Sequence, residues 1–177
     1  MNLELEVKSR CHNLAKVRSQ LKRLGAKFIG QVHQVDTYYQ ISPDYYLNRR
    51  PKLRIREEKN KRQVFLEYHV PINAFKAKEF ETSLGDAKIG RVILEKLGYR
   101  VGLVVDKKRE KYRMGKINID LDQLRGLGNF IEVEIMNNAT RQSLKMIYQF
   151  LEKLGISKSD NIAGQSYVNL LWQKKNK

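Results

Sequence analysis

The chain has 177 residues, of which 41% are hydrophobic and 31% are charged. This balance is typical of one folded globular domain and excludes disordered, collagen-like and coiled-coil sequences. No apolar run approaches the roughly 20 residues that a helix needs to cross a bilayer, and the single Cys11 cannot form an internal disulfide. We therefore expect a cytoplasmic protein that is neither secreted nor inserted in a membrane.

The net charge of +16 is the unusual feature of the composition, since 35 Lys and Arg residues oppose 19 Asp and Glu residues. A field of this sign attracts polyanions such as nucleic acids, acidic lipid headgroups and phosphorylated small molecules. The sequence contains no evident nucleic-acid-binding motif. We therefore favour steering of a small anion, or a compositional habit, over a nucleic-acid partner.

Apolar–polar alternation with period two predicts strands, and apolar residues at helical spacing predict the helices between them. In chain order, the first half is predicted to form a strand over 3–10, a helix capped by Asn13 and closed by Gly25, a weaker strand near 27–40, a strand over 52–56, and weaker strands near 63–70 and 77–83. The second half is predicted to form a helix ending at Gly98, strands over 101–111, 116–122 and 130–135, a helix over roughly 140–154 ending at Gly155, and a short helix carrying Tyr167.

Strands outnumber helices in this pattern, and short turns join many neighbouring strands. Both features favour an α+β fold with a mostly antiparallel sheet over parallel βαβ units. The sequence contains no obvious linker. We predict a single domain over residues 1–172, followed by a basic tail over residues 173–177.

Four of the predicted strands carry charges of one sign at positions i and i+2 of the polar face. The acidic pairs are Glu4–Glu6 and Glu132–Glu134, and the basic pairs are Arg54–Arg56 and Lys107–Arg109. Such neighbours lie roughly 6–7 Å apart and repel each other, whereas an ordinary solvated face mixes its charges. In a closed barrel with these faces inward, acidic strands would meet basic strands across a narrow lumen, and the apolar faces would pack outward against helices.

A lumen with both signs of charge suits a polyphosphate ligand. Clustered carboxylates bind Mg²⁺ or Mn²⁺ through their oxygens, and Lys and Arg side chains neutralise and orient phosphate oxygens. In phosphoryl or nucleotidyl transfer, positioning and charge neutralisation supply most of the catalysis. The charge pattern therefore predicts an enzyme that acts on a metal-bridged polyphosphate.

Several short motifs follow one another along nearly the whole chain. They are Glu4-x-Glu6-x-Lys8, Asp36-Thr-Tyr, Leu-Arg54-Ile-Arg56-Glu, Glu81 within KEFETS, Lys107-Lys-Arg109, Asp122, the run from Gly126 to Glu134, and Ser166-Tyr-x-x-Leu-Leu. This ordered set resembles the CYTH superfamily, the triphosphate tunnel metalloenzymes, whose N-terminal signature is ExExK. The GLGNFIEVEI and SYVNLL runs are most similar to class IV adenylyl cyclases, which convert ATP to cyclic AMP and pyrophosphate.

The resemblance implies a closed antiparallel barrel of about eight strands that binds Mg²⁺ or Mn²⁺ and a triphosphate. The implied metal ligands are Glu4, Glu6, Asp122, Glu132 and Glu134, with Glu81 as a weaker candidate. The implied triphosphate-gripping residues are Lys8, Arg54, Arg56, Lys107 and Arg109. In the cyclase reaction, a metal helps to deprotonate the ribose 3′-hydroxyl, which attacks the α-phosphorus while pyrophosphate leaves. Relatives often pair as homodimers.

Two positions depart from the family pattern. His69 stands where the family usually has a lysine, so it would be a weaker part of the triphosphate clamp unless the triphosphate raises its pKa. Glu79 stands where cyclase relatives often carry an arginine. The alternatives to a cyclase are a triphosphatase acting on inorganic triphosphate, thiamine triphosphate or a nucleoside triphosphate, and a phosphate- or RNA-binding module without turnover.

Some polar residues have two interpretations at this stage. Asp36 and Asp120 could orient site residues or be ordinary strand-end groups. Four tyrosines could stack on a base, but packing or exposure at the rim is the more common role of such residues: Tyr38, Tyr39, Tyr45 and Tyr46.

Overall fold

The structure is a computed structural model that describes residues 2–42, 50–136, 140–162 and 164–176. Within these ranges the elements are β1 Asn2–Arg10, α1 Leu14–Arg23, β2 Lys27–Gln40, β3 Lys52–Glu58, β4 Gln63–Pro71, β5 Lys76–Ser83, α2 Ala87–Lys96, β6 Arg100–Met114, β7 Ile117–Leu124, β8 Gly128–Met136, α3 Arg141–Lys153 and α4 Tyr167–Lys175. A single 3₁₀ turn, Lys158–Asp160, lies between α3 and α4. No helix in these ranges has the length and apolar character needed to cross a membrane.

The eight strands form a closed barrel in the order β1-β5-β4-β3-β2-β6-β7-β8, and every neighbouring pair is antiparallel. β1 closes the barrel because it pairs with β5 along one edge and with β8 along the other. The predicted α+β fold with a closed eight-stranded antiparallel barrel is therefore confirmed.

Helices α1 and α3 cover the outer face of β1, β7 and β8. Alternation turns residues such as Leu5 and Val133 outward, where they join a continuous apolar core with Leu21 of α1 and Ile147 of α3. The helix start is set locally, because the Asn13 side chain accepts a hydrogen bond from the Lys16 backbone N–H at 2.9 Å. These helices therefore leave the other face of the same strands turned toward the barrel axis.

Helix α2 covers a second part of the outer surface. Leu94 packs there against Tyr39 of β2 and against Leu53 and Ile55 of β3. Since Leu53 and Ile55 face outward, Arg54 and Arg56 between them face inward, as the alternation predicts.

Helix α4 packs within one end of the barrel rather than on its outer wall. Tyr167 and Val168 pack there against Leu103 and Val105, which share the inward parity of Lys107 on β6. The inward face of β6 therefore changes from apolar to basic beside Tyr167, where the helix begins. The helix also extends to Lys175, into the segment that the sequence predicts to be a basic tail.

The helix–barrel interface gives a test of how much α1 contributes to stability. Leu21 is fully buried, so Leu21→Ala should lower the free energy of unfolding by about 2–5 kcal/mol, because it removes buried apolar area and leaves a cavity. Leu97→Ala removes the same atoms from a residue that is 68% exposed, and it should change stability by less than about 0.5 kcal/mol. Urea unfolding measures both values, and equal losses would contradict the packing described.

Candidate active site in the barrel lumen

The barrel encloses a charged cavity of about 310 Å³. Both signs of charge line it. The charged lining residues are Glu6, Lys8, Arg50, Lys52, Arg54, Arg56, Lys76, Glu79, Glu81, Lys107, Arg109, Lys111, Asp120, Glu132 and Glu134. The structure thus brings most of the residues that the sequence predicts for the site into one cavity.

One charge network centres on Arg109. Its guanidinium lies 2.6 Å from Asp120 and 2.5 Å from Glu132, and it donates to both carboxylate oxygens of Asp122. Lys8 joins the network, because its Nζ lies 2.8 Å from Glu132. Register produces these contacts, since Arg109 stands opposite Asp122, while Lys8 and Asp120 both stand opposite Glu132. Acidic and basic strands therefore meet in the lumen.

A second network holds Arg54 and Arg56. Asp36 accepts hydrogen bonds from Arg56 Nε at 2.7 Å and Nη2 at 3.0 Å. Glu67 contacts both arginines, and Glu79 lies 3.3 Å from Arg54. Burial alone would raise the pKa of Asp36, but Arg56 and Arg54 outweigh it and hold this pKa well below its ordinary value. Asp36 therefore stays ionised and fixes the guanidinium of Arg56.

Lys107 lies between the two networks. Its side chain is 2% exposed, and its Nζ is 3.7 Å from the nearest oxygen of Asp36. Burial, together with the charge of Arg109, lowers the pKa of Lys107 to about 8. This ammonium is therefore mostly charged at neutral pH, but it loses its charge within the range in which enzymes are assayed.

Carboxylates crowd together at β1 and β8, where Glu6 stands opposite Glu134. Burial and the charges of Glu6 and Asp120 raise the pKa of Glu134 to about 7. Burial also raises the pKa of Glu6, although Lys8 opposes the change. Glu134 Oε1 is buried and has no hydrogen-bond partner among the described residues. Crowded carboxylates with an unsatisfied buried oxygen fit the oxygen ligands that Mg²⁺ and Mn²⁺ require.

Three of the predicted metal ligands have other surroundings. Asp122 is fully buried behind Arg109 and accepts hydrogen bonds from Arg109 and Tyr167. Glu81 lines the cavity from β5, and Glu4 lies on β1, with its side chain outside the described part of the structure. In the described ranges, no three Asp, Glu, His or Cys side chains are already arranged around one ion position. The ligand roles of all these residues stay predictions.

His69 lines the cavity from β4, between Lys52 on β3 and Glu79 on β5. Burial, together with the charge of Arg54, lowers the pKa of His69 to about 4. The imidazole is therefore neutral at pH 7, so it lacks the fixed charge that a lysine would bring to this position.

The structure adds Glu67 and Tyr167 to the site. Glu67 could have been found from the sequence, because it shares period-two parity with His69 along β4. Tyr167 lines the cavity from a helix, so strand alternation could not reveal it. Asp36 and Asp120 form ion pairs with site arginines, which supports the orienting role over that of ordinary strand-end groups.

The barrel and its charged lumen define the class of protein. The CYTH domain family matches residues 2–165, and the chain therefore belongs to that family. Among curated proteins, it is 33% identical over 174 residues to the "Putative adenylate cyclase" of Methanocaldococcus jannaschii, a match that covers 95% of this chain and 98% of that protein.

Solved structures have the same fold. The PH1819 protein of Pyrococcus horikoshii superposes with a TM-score of 0.84 and 28% identity, over 97% of this chain and 99% of that one. A protein from Hippeastrum, described as having a dominant triphosphatase activity, superposes with a TM-score of 0.69 and 14% identity, over 98% and 96% of the two chains. The latter likeness concerns the fold alone.

The pKa of Lys107 predicts how anion binding changes with pH. An anion binds the charged ammonium better than the neutral amine, so affinity for tripolyphosphate should fall about 3–10-fold between pH 7 and pH 9, as Lys107 deprotonates. Lys107→Gln should bind more weakly at pH 7 and show a flatter profile. Calorimetry in EDTA measures these affinities, with the exposed Lys96→Gln as control. Parallel profiles for the wild type and Lys107→Gln would contradict the assignment.

The neutral state of His69 yields a separate prediction. His69→Lys places an ammonium at a cavity-lining position, so tripolyphosphate should bind about 3–10-fold more tightly at pH 7. His12 is 76% exposed at its side chain and is not among the described residues that line the cavity, so His12→Lys serves as the control. Unchanged affinity in His69→Lys would show that this position does not contact the ligand.

Proposed function

We propose that the protein is a divalent-metal-dependent enzyme that acts on a triphosphate and most resembles a class IV adenylyl cyclase, converting ATP to cyclic AMP and pyrophosphate. The observation that carries this proposal is the meeting of clustered carboxylates with the five basic side chains of the predicted clamp inside one closed lumen: Lys8, Arg54, Arg56, Lys107 and Arg109. The name of the M. jannaschii relative favours the cyclase over other reactions of triphosphates.

In this proposal, the basic residues hold the triphosphate and spread its charge. The two clusters approach from different strands: Arg54 and Arg56 from β3, and Lys107 and Arg109 from β6. Lys8 approaches the triphosphate from a third strand, β1. Because the side chains are buried and fixed by carboxylates, they require little reorganisation when charge develops on the phosphoryl oxygens.

The carboxylates of β1 and β8 are the proposed holders of Mg²⁺ or Mn²⁺. Glu6, Glu132 and Glu134 would supply oxygen ligands, with Glu4 and Asp120 nearby in the sheet. The bound ion would supply Lewis-acid polarisation of phosphoryl oxygens and neutralise charge on the reacting groups.

For cyclisation, the ribose 3′-oxygen forms a bond to the α-phosphorus as the bond from that phosphorus to the bridging oxygen of pyrophosphate breaks. The 3′-hydroxyl gives up its proton to solvent in the same step. The residues Lys107 and Arg109 would orient the phosphoryl groups so that attack and departure are in line.

A triphosphatase is the second candidate function, in which water attacks the γ-phosphorus instead. The composition of the described lining supports it, because charged side chains outnumber aromatic ones there. Among the described lining residues, the aromatic side chains are Tyr38, Phe75 and Tyr167, and Arg54 donates to the hydroxyl of Tyr38 at 2.9 Å. Tyr39 is buried beneath α2, while Tyr45 and Tyr46 lie outside the described residues.

One substrate panel separates the candidates. The protein is incubated with ATP, tripolyphosphate and thiamine triphosphate plus Mn²⁺, and the products are identified, with EDTA as the metal-free control. Cyclic AMP with pyrophosphate supports the cyclase, and orthophosphate supports the triphosphatase. Binding without turnover would leave a phosphate-binding module and overturn the enzymatic proposal.

Glu6→Gln tests the carboxylate cluster directly. The change keeps the size of the side chain but removes a charge, so metal-dependent turnover should fall at least about 100-fold. Glu95→Gln removes a carboxylate from the exposed face of α2 and should keep the wild-type rate. A wild-type rate in Glu6→Gln would exclude Glu6 from the site.

A further inference from the structure

Tyr167 begins α4 and closes the inner end of the charged cavity. The helix starts at this residue because Ser166 caps it, with the Ser166 and Asn169 side chains bonded reciprocally to each other's backbone N–H. The residue is 4% exposed and still lines the cavity. One ring therefore faces both the apolar end of the barrel and the charged lumen.

Two lysines of the proposed clamp approach this ring. Lys8 Nζ lies 4.6 Å from the ring centroid, and Lys107 Nζ lies 5.4 Å from it. Both distances are within the range of cation–π attraction, which is stronger for groups removed from water. The two ammonium groups come from β1 and β6, which are not neighbours in the barrel, so the ring links side chains that the sheet itself does not pair.

The hydroxyl of Tyr167 reaches a third basic residue through a carboxylate. It donates to Asp122 Oδ2 at 2.9 Å, and the same carboxylate accepts two hydrogen bonds from Arg109. By sharing the negative charge of Asp122, the phenol weakens the hold of this carboxylate on Arg109. Without that bond, Asp122 would compete more strongly with a phosphate for the guanidinium.

We propose that Tyr167 is a positioning residue of the triphosphate clamp, which holds Lys8 and Lys107 by its ring and tunes Arg109 through Asp122. The inference rests on the proposed function, since it names what sets the geometry of that same clamp. It concerns the phosphate-binding half of the site and is independent of which phosphorus is attacked.

A purely structural role is the competing explanation, because the ring also packs edge to face on Phe130, with centroids 5.1 Å apart. The two roles differ in what they change. Loss of packing alone lowers the folded fraction and thus the apparent kcat, whereas loss of positioning weakens binding of the triphosphate by the folded protein and raises KM.

The test uses Tyr167→Phe, Tyr167→Leu and the matched control Trp172→Leu, which removes an aromatic side chain from the same helix and the same apolar cluster. Affinity for tripolyphosphate is measured by calorimetry in EDTA on the folded fraction of each variant. We expect binding about 3–10-fold weaker in Tyr167→Phe, which keeps the ring but loses the hydroxyl. Binding should be about 30–100-fold weaker in Tyr167→Leu, which loses both. Trp172→Leu should bind within about 2-fold of wild type.

The outcomes separate this inference from the proposed function. A wild-type protein that binds tripolyphosphate neither in EDTA nor in the presence of Mn²⁺ would overturn the proposed function itself. Wild-type affinity together with affinities within 2-fold in both Tyr167 variants would overturn the positioning role alone. If Tyr167→Leu does not fold, Tyr167→Phe decides: weaker binding supports the role, and unchanged binding overturns it. With the substrate that the panel identifies, KM should rise in Tyr167→Phe with kcat changed less than about 3-fold.

Discussion

The pairing of opposite charges inside a closed barrel is the interaction on which the rest of the structure depends. Removing an isolated guanidinium or carboxylate from water costs several kcal/mol unless a hydrogen-bonded partner of opposite sign compensates. Arg109 has three carboxylate partners and Arg56 has two. Strand register decides which charges meet, and a slip of one residue would turn the lumen charges outward and the apolar face inward. The barrel and the charge network therefore require each other.

This pairing also governs how an anion can bind. A triphosphate that enters the lumen meets cations that already contact carboxylates, so it exchanges with protein partners as well as with water. The exchange becomes more favourable when something neutralises the carboxylates that are released. A divalent cation would neutralise them. This gives a physical reason why one site contains both the crowded carboxylates around Glu134 and the cluster of arginines. Under the proposed function, the acidic residues thus have two roles: they hold the basic side chains in place, and they would supply oxygen ligands to the metal.

Much of this arrangement could be predicted from the sequence, because a strand with one buried face has only two orientations. Alternation correctly predicted that Arg54 and Arg56 face the same lumen as Lys107 and Arg109. Alternation also gives Glu67 the same parity as His69, but this strand carries no second carboxylate at i+2 that would mark its inward face as unusual. The motif Ser166-Tyr-x-x-Leu-Leu contains Tyr167, but its place in the lumen could not be predicted. That place depends on how a helix docks into the barrel end, and contacts between distant segments fix it. The sequence of β6 shows that its inward face changes from apolar to basic residues. It does not show the cause, which is the packing of α4 against the apolar part.

The net charge of +16 has a different role from the charges of the lumen. Opposite charges that lie within 4 Å of each other largely cancel at distances beyond the Debye length, which is about 8 Å at physiological ionic strength. The field that an approaching anion meets therefore comes mainly from outer cations such as Lys16, Lys22 and Arg23 on α1. That field is screened by salt, whereas the buried networks are screened much less. The rate at which an anion associates and the strength with which the lumen binds it should consequently respond differently to ionic strength, because different residues produce the two effects.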